Sequence, residues 1–580
     1  MLSFSIVMIP PVRAARTWTV DDDGPADFHT IQEAMNAAYP RDTIYVKTGT
    51  YYEHVVVNKS VSLVGENKTT TMIDGNKTGT VVHVASDNVT VTGFTIQNSG
   101  HEYGIYLNHS DDCVISGNTI NDNWCGIKVY LSTNCTVTEN NVSDNYRGII
   151  VFASNYCTLS GNNVSDNLFG MELLGSDNCV ISGNTVKENG NGIELFYSVN
   201  CTLRDNKMTD NECNLAVTVQ PGFSLEHFMH DIDVSNTVNG KPIYYLVNEH
   251  DKRIPENAGY VAAINSTNIT VENVNLTHNY PGVLFAFTSN STVKNVKVSN
   301  SFDDVCIYCS DSCAIIGNNI TGSGERWSGI YLVCSGNCTV IENNVVSNVL
   351  AYARITLYNS SDNILFHNNF INITHVEIIN SINVWDNGYP SGGNYRSDYV
   401  GSDAYSGSYQ NETGSDGIGD TPHVITMDNV DRYPLMAPVT TFDVIFWDGR
   451  EYEIEILSNS TVANFQFNMS LIPEYPSTIS FKVIGPEFTG AFCRIIIPNI
   501  IVQDLWQNNY TILVDGNLPL MTNNWTDGTY TYVYFIYQHP THQVIIIPAF
   551  PSALILPLFM TLTMLTLILG KRKFPRKLKT

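Results

Sequence analysis

Glu172 and Glu194 lie 22 residues apart, in a stretch where glycine, cysteine and asparagine recur at the same interval. If that interval is one turn of a coil, the two carboxylates sit on neighbouring strands about 5 Å apart, the separation at which a retaining glycosidase holds its acid and its nucleophile. Carboxylates that close repel by roughly 1 to 3 kcal/mol, which raises one pKa or recruits a cation. A polysaccharide hydrolase or lyase is one reading of the pair. No third catalytic partner is identifiable, and long exposed glutamates can also splay apart in water. Trp124, Tyr130, Tyr146, Phe152, Phe169 and Phe196 fall on or beside the same outward positions. A row of exposed rings interspersed with Glu, Asn and Lys suits carbohydrate, which stacks its apolar faces on rings and hydrogen-bonds at its edges. Carbohydrate binding is the leading expectation.

Soft-metal chemistry is a further candidate. Thiolates suit copper(I) or zinc, and in the cluster Cys306, Cys309 and Cys313 the last two are followed 25 residues later by Cys334 and Cys338. The spacing matches no standard zinc pattern, and a constant offset is also what two stacked coils produce. Thirteen cysteines would ordinarily suggest disulfides, but the five at 22-residue spacing from Cys113 to Cys201 are expected to pack as a stacked row of small hydrophobes. Stacked equivalents have Cβ atoms about 4.8 Å apart, whereas a disulfide needs roughly 3.5 to 4.5 Å. His227 and His230 beside Asp231 have a metal-like spacing but read as parts of a structural insertion. Asp403, Asp416 and Asp420, with Gly417 and Gly419 allowing a tight turn, offer oxygen ligands for a structural calcium ion. Asx turns account for them equally well.

What must position these side chains is a repeat. Gly104, Gly126, Gly148, Gly170 and Gly192 form one column at the 22-residue interval, Cys113, Cys135, Cys157, Cys179 and Cys201 a second, and Asn118, Asn140, Asn162, Asn184 and Asn206 a third. A fixed period of this size means a solenoid. Apolar residues alternate with polar ones at Ile127 and Val129, then at Val137, then at Val142, with Gly, Asn and Asp between the segments. That pattern gives about three short strands per repeat. Such coils, stacked in register, make a right-handed parallel β-helix, expected from Tyr51 to Ile382. A sandwich of meandering strands would not produce columns of identical residues. The open first edge needs a cover. The stretch from Phe28 to Ala38, with a Thr-x-x-Glu capping box at Thr30 and Glu33 and one apolar stripe, reads as a short helix lid.

From Phe28 through Asp42-Thr43-Ile44, Gly49-Thr50-Tyr51 and Leu63-Val64-Gly65-Glu66 to Ile73-Asp74-Gly75, the chain resembles the start of NosD-type β-helix proteins, a family also described as carbohydrate-binding and sugar-hydrolysis domains. The block from Asp231 to Tyr245 is similar to an insertion in archaeal members. Gly392 to Tyr399, Asp416 to Pro422 and Asp431 to Leu435 resemble the family's closing segment, with Arg396 where an aromatic usually stands. The resemblance spans roughly residues 18–437. It implies a pectin-lyase-like β-helix in an archaeal-type surface protein, raises the carbohydrate expectation, and adds copper handling as an alternative.

The chain has 580 residues and a formal net charge of −26, with only 15% of residues charged. That balance excludes a nucleic-acid binder, which needs clustered positive charge. Residues 1–16 read as a signal-peptide remnant, apolar from Leu2 to Pro11 with small residues at Ala14 and Ala15. The β-helix is expected over 17–437, with an insertion at 214–260 and a closing segment at 383–437. Alternating strands over 438–547, such as Thr441 to Trp447 and Tyr530 to Tyr537, indicate a β-sandwich. Residues 548–570 read as a transmembrane helix and 571–580 as a cytoplasmic tail. Pro551 to Gly570 carries no charge and is long enough to cross a bilayer core of roughly 30 Å, and the basic tail from Lys571 to Lys579 belongs inside. Pro548-Ala-Phe-Pro-Ser552 resembles archaeal Pro-Glu-Phe-type terminal signals, with Ala549 in the acidic place. Sequons at Asn58, Asn134, Asn163, Asn319 and Asn524 suit an extracellular glycoprotein. The expectation is an all-β, single-pass protein displayed at the cell surface, with carbohydrate or a cell-surface polymer as partner. A purely structural surface protein is the remaining alternative.

Overall fold

The computed structural model describes residues 13–219, 222–322, 328–347, 353–373, 375–470 and 477–549. They form two compact units, one of residues 13–363 and 372–383, the other of 364–371 and 384–549.

The first unit is a stack of rungs. Cys125–Tyr130, Thr136–Thr138 and Asn141–Ser143 make one rung, and Arg147–Phe152, Thr158–Ser160 and Asn163–Ser165 make the next. They pair in parallel, Ile127 with Ile149, Val137 with Leu159 and Val142 with Val164, and all six side chains are fully buried. Strands this short hold because each inward side chain rests on its equivalent about 4.8 Å away, so the core is continuous along the axis although no rung could bury one alone. Sheets of ten, eight and sixteen strands result. The architecture is a right-handed parallel β-helix.

The polar residues of the repeat occupy its corners. Asn134, Glu139 and Asp144 have φ of 56°, 55° and 58°, a left-handed conformation that Asn and Asp tolerate better than most side chains. The asparagine column from Asn118 to Asn206 points inward, each Nδ2 donating to the Oδ1 of the next at 2.9–3.1 Å. Asn123, Asn145, Asn167, Asn189 and Asn211 form a second such column at the same distances. A slip in register would orphan buried amides at about 1–3 kcal/mol each, so these ladders fix the stacking.

The stack begins earlier than Tyr51, because Thr17–Val20 pairs in parallel with Thr43–Val46. Between them lies the helix Ile31–Ala37, whose Ile31, Ala34 and Met35 are buried. Its free ends are satisfied from the following rung. Glu53 accepts the N–H groups of Ile31 and Gln32 at 2.8 and 2.9 Å, while Lys59 donates to the carbonyls of Met35, Asn36 and Ala38 at 2.8–2.9 Å. An acid at the first turn and a cation at the last complement the helix dipole.

After Cys213–Thr218 the repeat is interrupted. Thr237–Val238 still pairs with Lys207 and Met208, and Val238 then turns antiparallel onto Lys241. Lys241–Val247 opens a second run, in which Tyr260–Ile264, Val283–Ala286, Val305–Tyr308 and Ser328–Val333 pair in parallel. From the insertion, Phe223 and Phe228 pack on Tyr308 at ring separations of 5.4 and 5.8 Å.

The second unit holds two antiparallel sheets, of five strands (Val439–Ile445, Glu451–Ser458, Gly490–Pro498, Tyr530–Gln538, Met521–Thr526) and four (Thr461–Asn468, Thr478–Ile484, Thr541–Pro548, Tyr510–Val514). Ile454, Ile495 and Val533 from one sheet and Phe481, Ile512 and Val544 from the other share a buried core. The sequence pattern marks strands at Thr441 to Trp447, Tyr452 to Leu457, Thr478 to Val483, Cys493 to Ile497, Tyr510 to Val514 and Tyr530 to Tyr537; the sheets add Thr461–Asn468, Met521–Thr526 and Thr541–Pro548, where polar residues or an unbroken apolar run obscure the alternation. Residues 1–12 and the candidate span Pro551 to Gly570 lie outside the described residues. Among the described residues no helix is long and apolar enough to cross a membrane.

Candidate functional site

The strands Tyr103–Asn108, Cys125–Tyr130, Arg147–Phe152, Phe169–Leu174 and Asn191–Phe196 stack so that Tyr106, Lys128, Ile150, Glu172 and Glu194 form one outward column. Rings flank it on both sides. On one, Trp124 stacks on Tyr146 at 5.9 Å and Tyr146 meets Phe169 edge-on at 5.8 Å. On the other, Tyr130 lies 5.6 Å from Phe152, with Phe196 two rungs further along the same column. Tyr146 and Phe152 keep 46% and 42% of their surface in solvent, and the other four rings are half-buried. All six aromatic candidates therefore border one open face.

Glu172 and Glu194 are direct register partners, as their spacing predicts, but they do not splay into water. Glu172 is only 4% exposed, and Arg147 Nη1 donates to both of its oxygens at 3.1 and 3.0 Å. Burial, opposed by Arg147 and reinforced by Glu194, pushes the Glu172 carboxyl up to about 7. Burial also raises Glu194, which accepts from Thr218 Oγ1 at 3.3 Å. Arg147 escapes sequence reasoning because it stands 25 residues before its partner, in a different column. The arginine also lies over the Phe169 ring at 4.8 Å, so it ties the charged column to the aromatic one. Lys128 Nζ donates to the Tyr103 hydroxyl at 3.2 Å and lies 4.9–5.7 Å from the rings of Tyr103, Tyr106 and Tyr130. Among the described residues it has no carboxylate partner. The face offers stacking surfaces, donors and acceptors together.

The cysteines are all free. Along the Cys113 column, Cys135, Cys157, Cys179 and Cys201 are buried and donate their S–H groups to the carbonyls of Ser110, Ser132, Ser154 and Ser176 at 3.2–3.5 Å. They pack as expected of small corner residues. The five copper candidates do not converge. Cys306 is fully buried, in register with Leu284 and Tyr331, and Cys313 and Cys338 are buried donors to Thr288 and Ser310 carbonyls. Only Cys309 and Cys334 reach the surface. His227 and His230 also diverge. His230 is buried, accepts the Cys201 N–H at 3.3 Å and is held down to about 4 by burial, while His227 bonds Ser224.

Asp403, Asp416 and Asp420 share a loop system, and their oxygens accept hydrogen bonds from the loop itself. Asp403 takes the N–H groups of Asp416 and Gly417 at 3.0 and 2.8 Å, and Asp420 takes those of Ala404 and Tyr405 at 2.9 Å. Asp416 accepts from Ile418 N–H at 2.9 Å. Arg396 pairs with Asp398 at 2.9 Å. Among the described residues, the one group of three acidic, His or Cys donors close enough to share an ion is Asp21, Asp22 and Asp23.

Comparison with known proteins adds the following. No curated protein matches the chain. Among solved structures, similarity is found to pectate lyase Pel9A (16% identity, TM-score 0.31, covering 49% of this chain and 77% of that one). It is also found to the A-module of Azotobacter vinelandii mannuronan C-5 epimerase AlgE6 (13%, 0.30, 61% and 94%). A tailspike protein mutant of E. coli bacteriophage HK620 in complex with pentasaccharide is a third (11%, 0.33, 90% and 89%). Likeness at this level assigns no activity. The family model described as periplasmic copper-binding protein (NosD) matches residues 35–225 and 226–401, which take in both runs of rungs. The chain belongs to the NosD family.

Proposed function

We propose that the chain binds carbohydrate along the open face of the first run of rungs. The observation that carries this reading is the pair of aromatic columns on either side of Lys128, Glu172 and Glu194. Successive rungs advance by about 4.8 Å, comparable to one sugar residue in an extended chain, so a linear glycan can place successive rings along the columns. Burial of Glu172 under Arg147 favours binding over bond cleavage, because a hydrolase or lyase needs a carboxyl its substrate can reach. In this reading the protein is displayed outside the cell, Pro551 to Gly570 anchors it, and the two-sheet unit, a β-sandwich, serves as a spacer. A glycan array probed with the full-length chain tests it. Binding of a defined glycan class that Phe152→Ala with Phe196→Ala abolishes supports the site. Cleavage of the bound glycan that Glu172→Gln removes would favour the hydrolase or lyase alternative, and no bound glycan at all would leave a structural surface role.

The family description favours a second reading, copper handling. Its test is metal content: a copper handler retains stoichiometric copper through purification, and a carbohydrate binder does not.

A further inference from the structure

The two-sheet unit carries an exposed apolar turn at the end from which the described chain leaves it. Phe446 to Arg450 join the strands Val439–Ile445 and Glu451–Ser458. Phe446 N–H donates to the Arg450 carbonyl at 2.8 Å and Gly449 N–H to the Phe446 carbonyl at 2.9 Å. Gly449 has φ of 82°, which glycine adopts without steric cost. Asp448 accepts from the Arg450 N–H at 3.0 Å and pairs with Arg450 Nε at 3.2 Å, so the two charges of the turn meet each other. Phe446 is buried in the core shared by the sheets, whereas Ile445 and Trp447 keep 64% and 57% of their surface in solvent. The turn is pinned from inside and presents an indole and an aliphatic side chain outward.

Strand register puts this turn beside the exit of the chain. Glu455 pairs with Ile496 and Pro498 with Tyr530, so the turn projects past the Pro498 end of its sheet, opposite the end that holds Gly490 and Gln538. Short links join Ile484 to Gly490 and Gln538 to Thr541, which puts the paired residues Ile484 and Thr541 at that opposite end. Pro548, paired with Tyr510, therefore lies at the end of the turn. Only Ala549 and Phe550 separate it from the uncharged stretch Pro551 to Gly570. Three residue steps reach roughly 10 Å at full extension, and the headgroup layer outside the hydrocarbon core is about 5–8 Å deep. A unit tethered that closely meets the lipid headgroups with whatever this end presents. Glu451 and Asp504 are exposed there, and their charge disfavours anionic lipid, so the attraction is aromatic and apolar. Tryptophan is a side chain that settles at the headgroup level. We propose that Trp447, with Ile445, docks into the headgroup layer of the bilayer that the chain's own anchor crosses, and so holds the two-sheet unit against the lipid. The docking rests on the reading of Pro551 to Gly570 as that anchor. Phe488, Leu518 and Leu520, exposed at the opposite end, stay in water.

The test inserts the full-length chain into phosphatidylcholine vesicles whose acyl chains carry bromine close to the headgroups, and reads tryptophan emission, since bromine quenches an indole only at short range. The chain has seven tryptophans, so the readout is the difference between the native chain and Trp447→Phe. The expected result is a loss of emission in the native chain that Trp447→Phe removes, with both proteins retained by the vesicles. Phe488→Trp in the Trp447→Phe background adds an indole at the far end, where Phe488 is 96% exposed, and its emission is expected to be unquenched. Equal quenching of the native chain and Trp447→Phe, or quenching of the Phe488→Trp emission, would overturn the docking while leaving the anchor in place. Release of the native chain from the vesicles by an alkaline wash would remove the anchor reading, and the docking with it.

Discussion

In the first run of rungs the rings beside the outward column from Tyr106 to Glu194 reach solvent, Tyr146 and Phe152 most of all, whereas in the second run the stacked residues Leu284, Cys306 and Tyr331 are all buried. Both runs share the same inner construction: Asn318 donates to Asn343 at 2.9 Å as Asn162 does to Asn184 at 3.0 Å. The insertion adds to the contrast, since its Phe223 and Phe228 pack on Phe287 and Tyr308 of the second run. Rung stacking sets where outward columns run, and a local insertion helps decide which of them remain open for a ligand.

Removing the cover is the harshest way to break this contrast. Phe228→Ala should cost about 3–5 kcal/mol, as for a fully buried phenylalanine, whereas Phe152→Ala on the open face should stay within about 0.5 kcal/mol. Urea unfolding of the two variants measures both, and equal losses would mean that the faces are not differently covered. The shared lattice predicts the opposite pattern for asparagine. Asn162→Ala and Asn318→Ala should each cost about 3 kcal/mol, because each strands several buried hydrogen-bonding groups. A loss confined to one run would show that the ladders are not equivalent.

The charged column sharpens the comparison through pH. Because Glu172 is raised from 4.5 to about 7 in the folded chain, the folded state binds its proton more tightly than the unfolded one. Its contribution is complete below the ordinary carboxyl range and disappears as pH rises through about 7. Thermal unfolding should therefore show a loss on the order of 2 to 3 kcal/mol between pH 5 and pH 8 that Glu172→Gln removes. An unchanged profile in that variant would place the titration elsewhere; Asp403 and Asp431, each also raised to about 7, have the same sign. The smallest expected effect is on ligand: each stacking ring is worth about 1.4 kcal/mol, so Phe152→Ala should weaken glycan binding roughly tenfold by calorimetry.

Much of this was legible in the sequence because a period is a statement about position. Equal spacing put Glu172 beside Glu194 and Cys309 beside Cys334, and the Thr30 to Glu33 capping pattern located the helix. What a period omits is direction. Arg147 reaches Glu172 across a rung and between columns, which no single-column count reveals. The Cys306 to Cys338 set looked like one cluster because proximity along the chain hides that its members face core, corner and solvent. The cover over the second run was equally hidden, since the apolar residues of Phe223 to Met229 do not say which surface they meet.

Hydroxyl-radical footprinting of the full-length chain, with and without the glycan selected on the array, reads the rings of both runs in one experiment. Protection of Tyr146 and Phe152 with no change at Phe287 or Tyr308 is expected if the open face is the binding surface. Unaltered labelling of Tyr146 and Phe152 at saturating glycan, or protection confined to the second run, would contradict it.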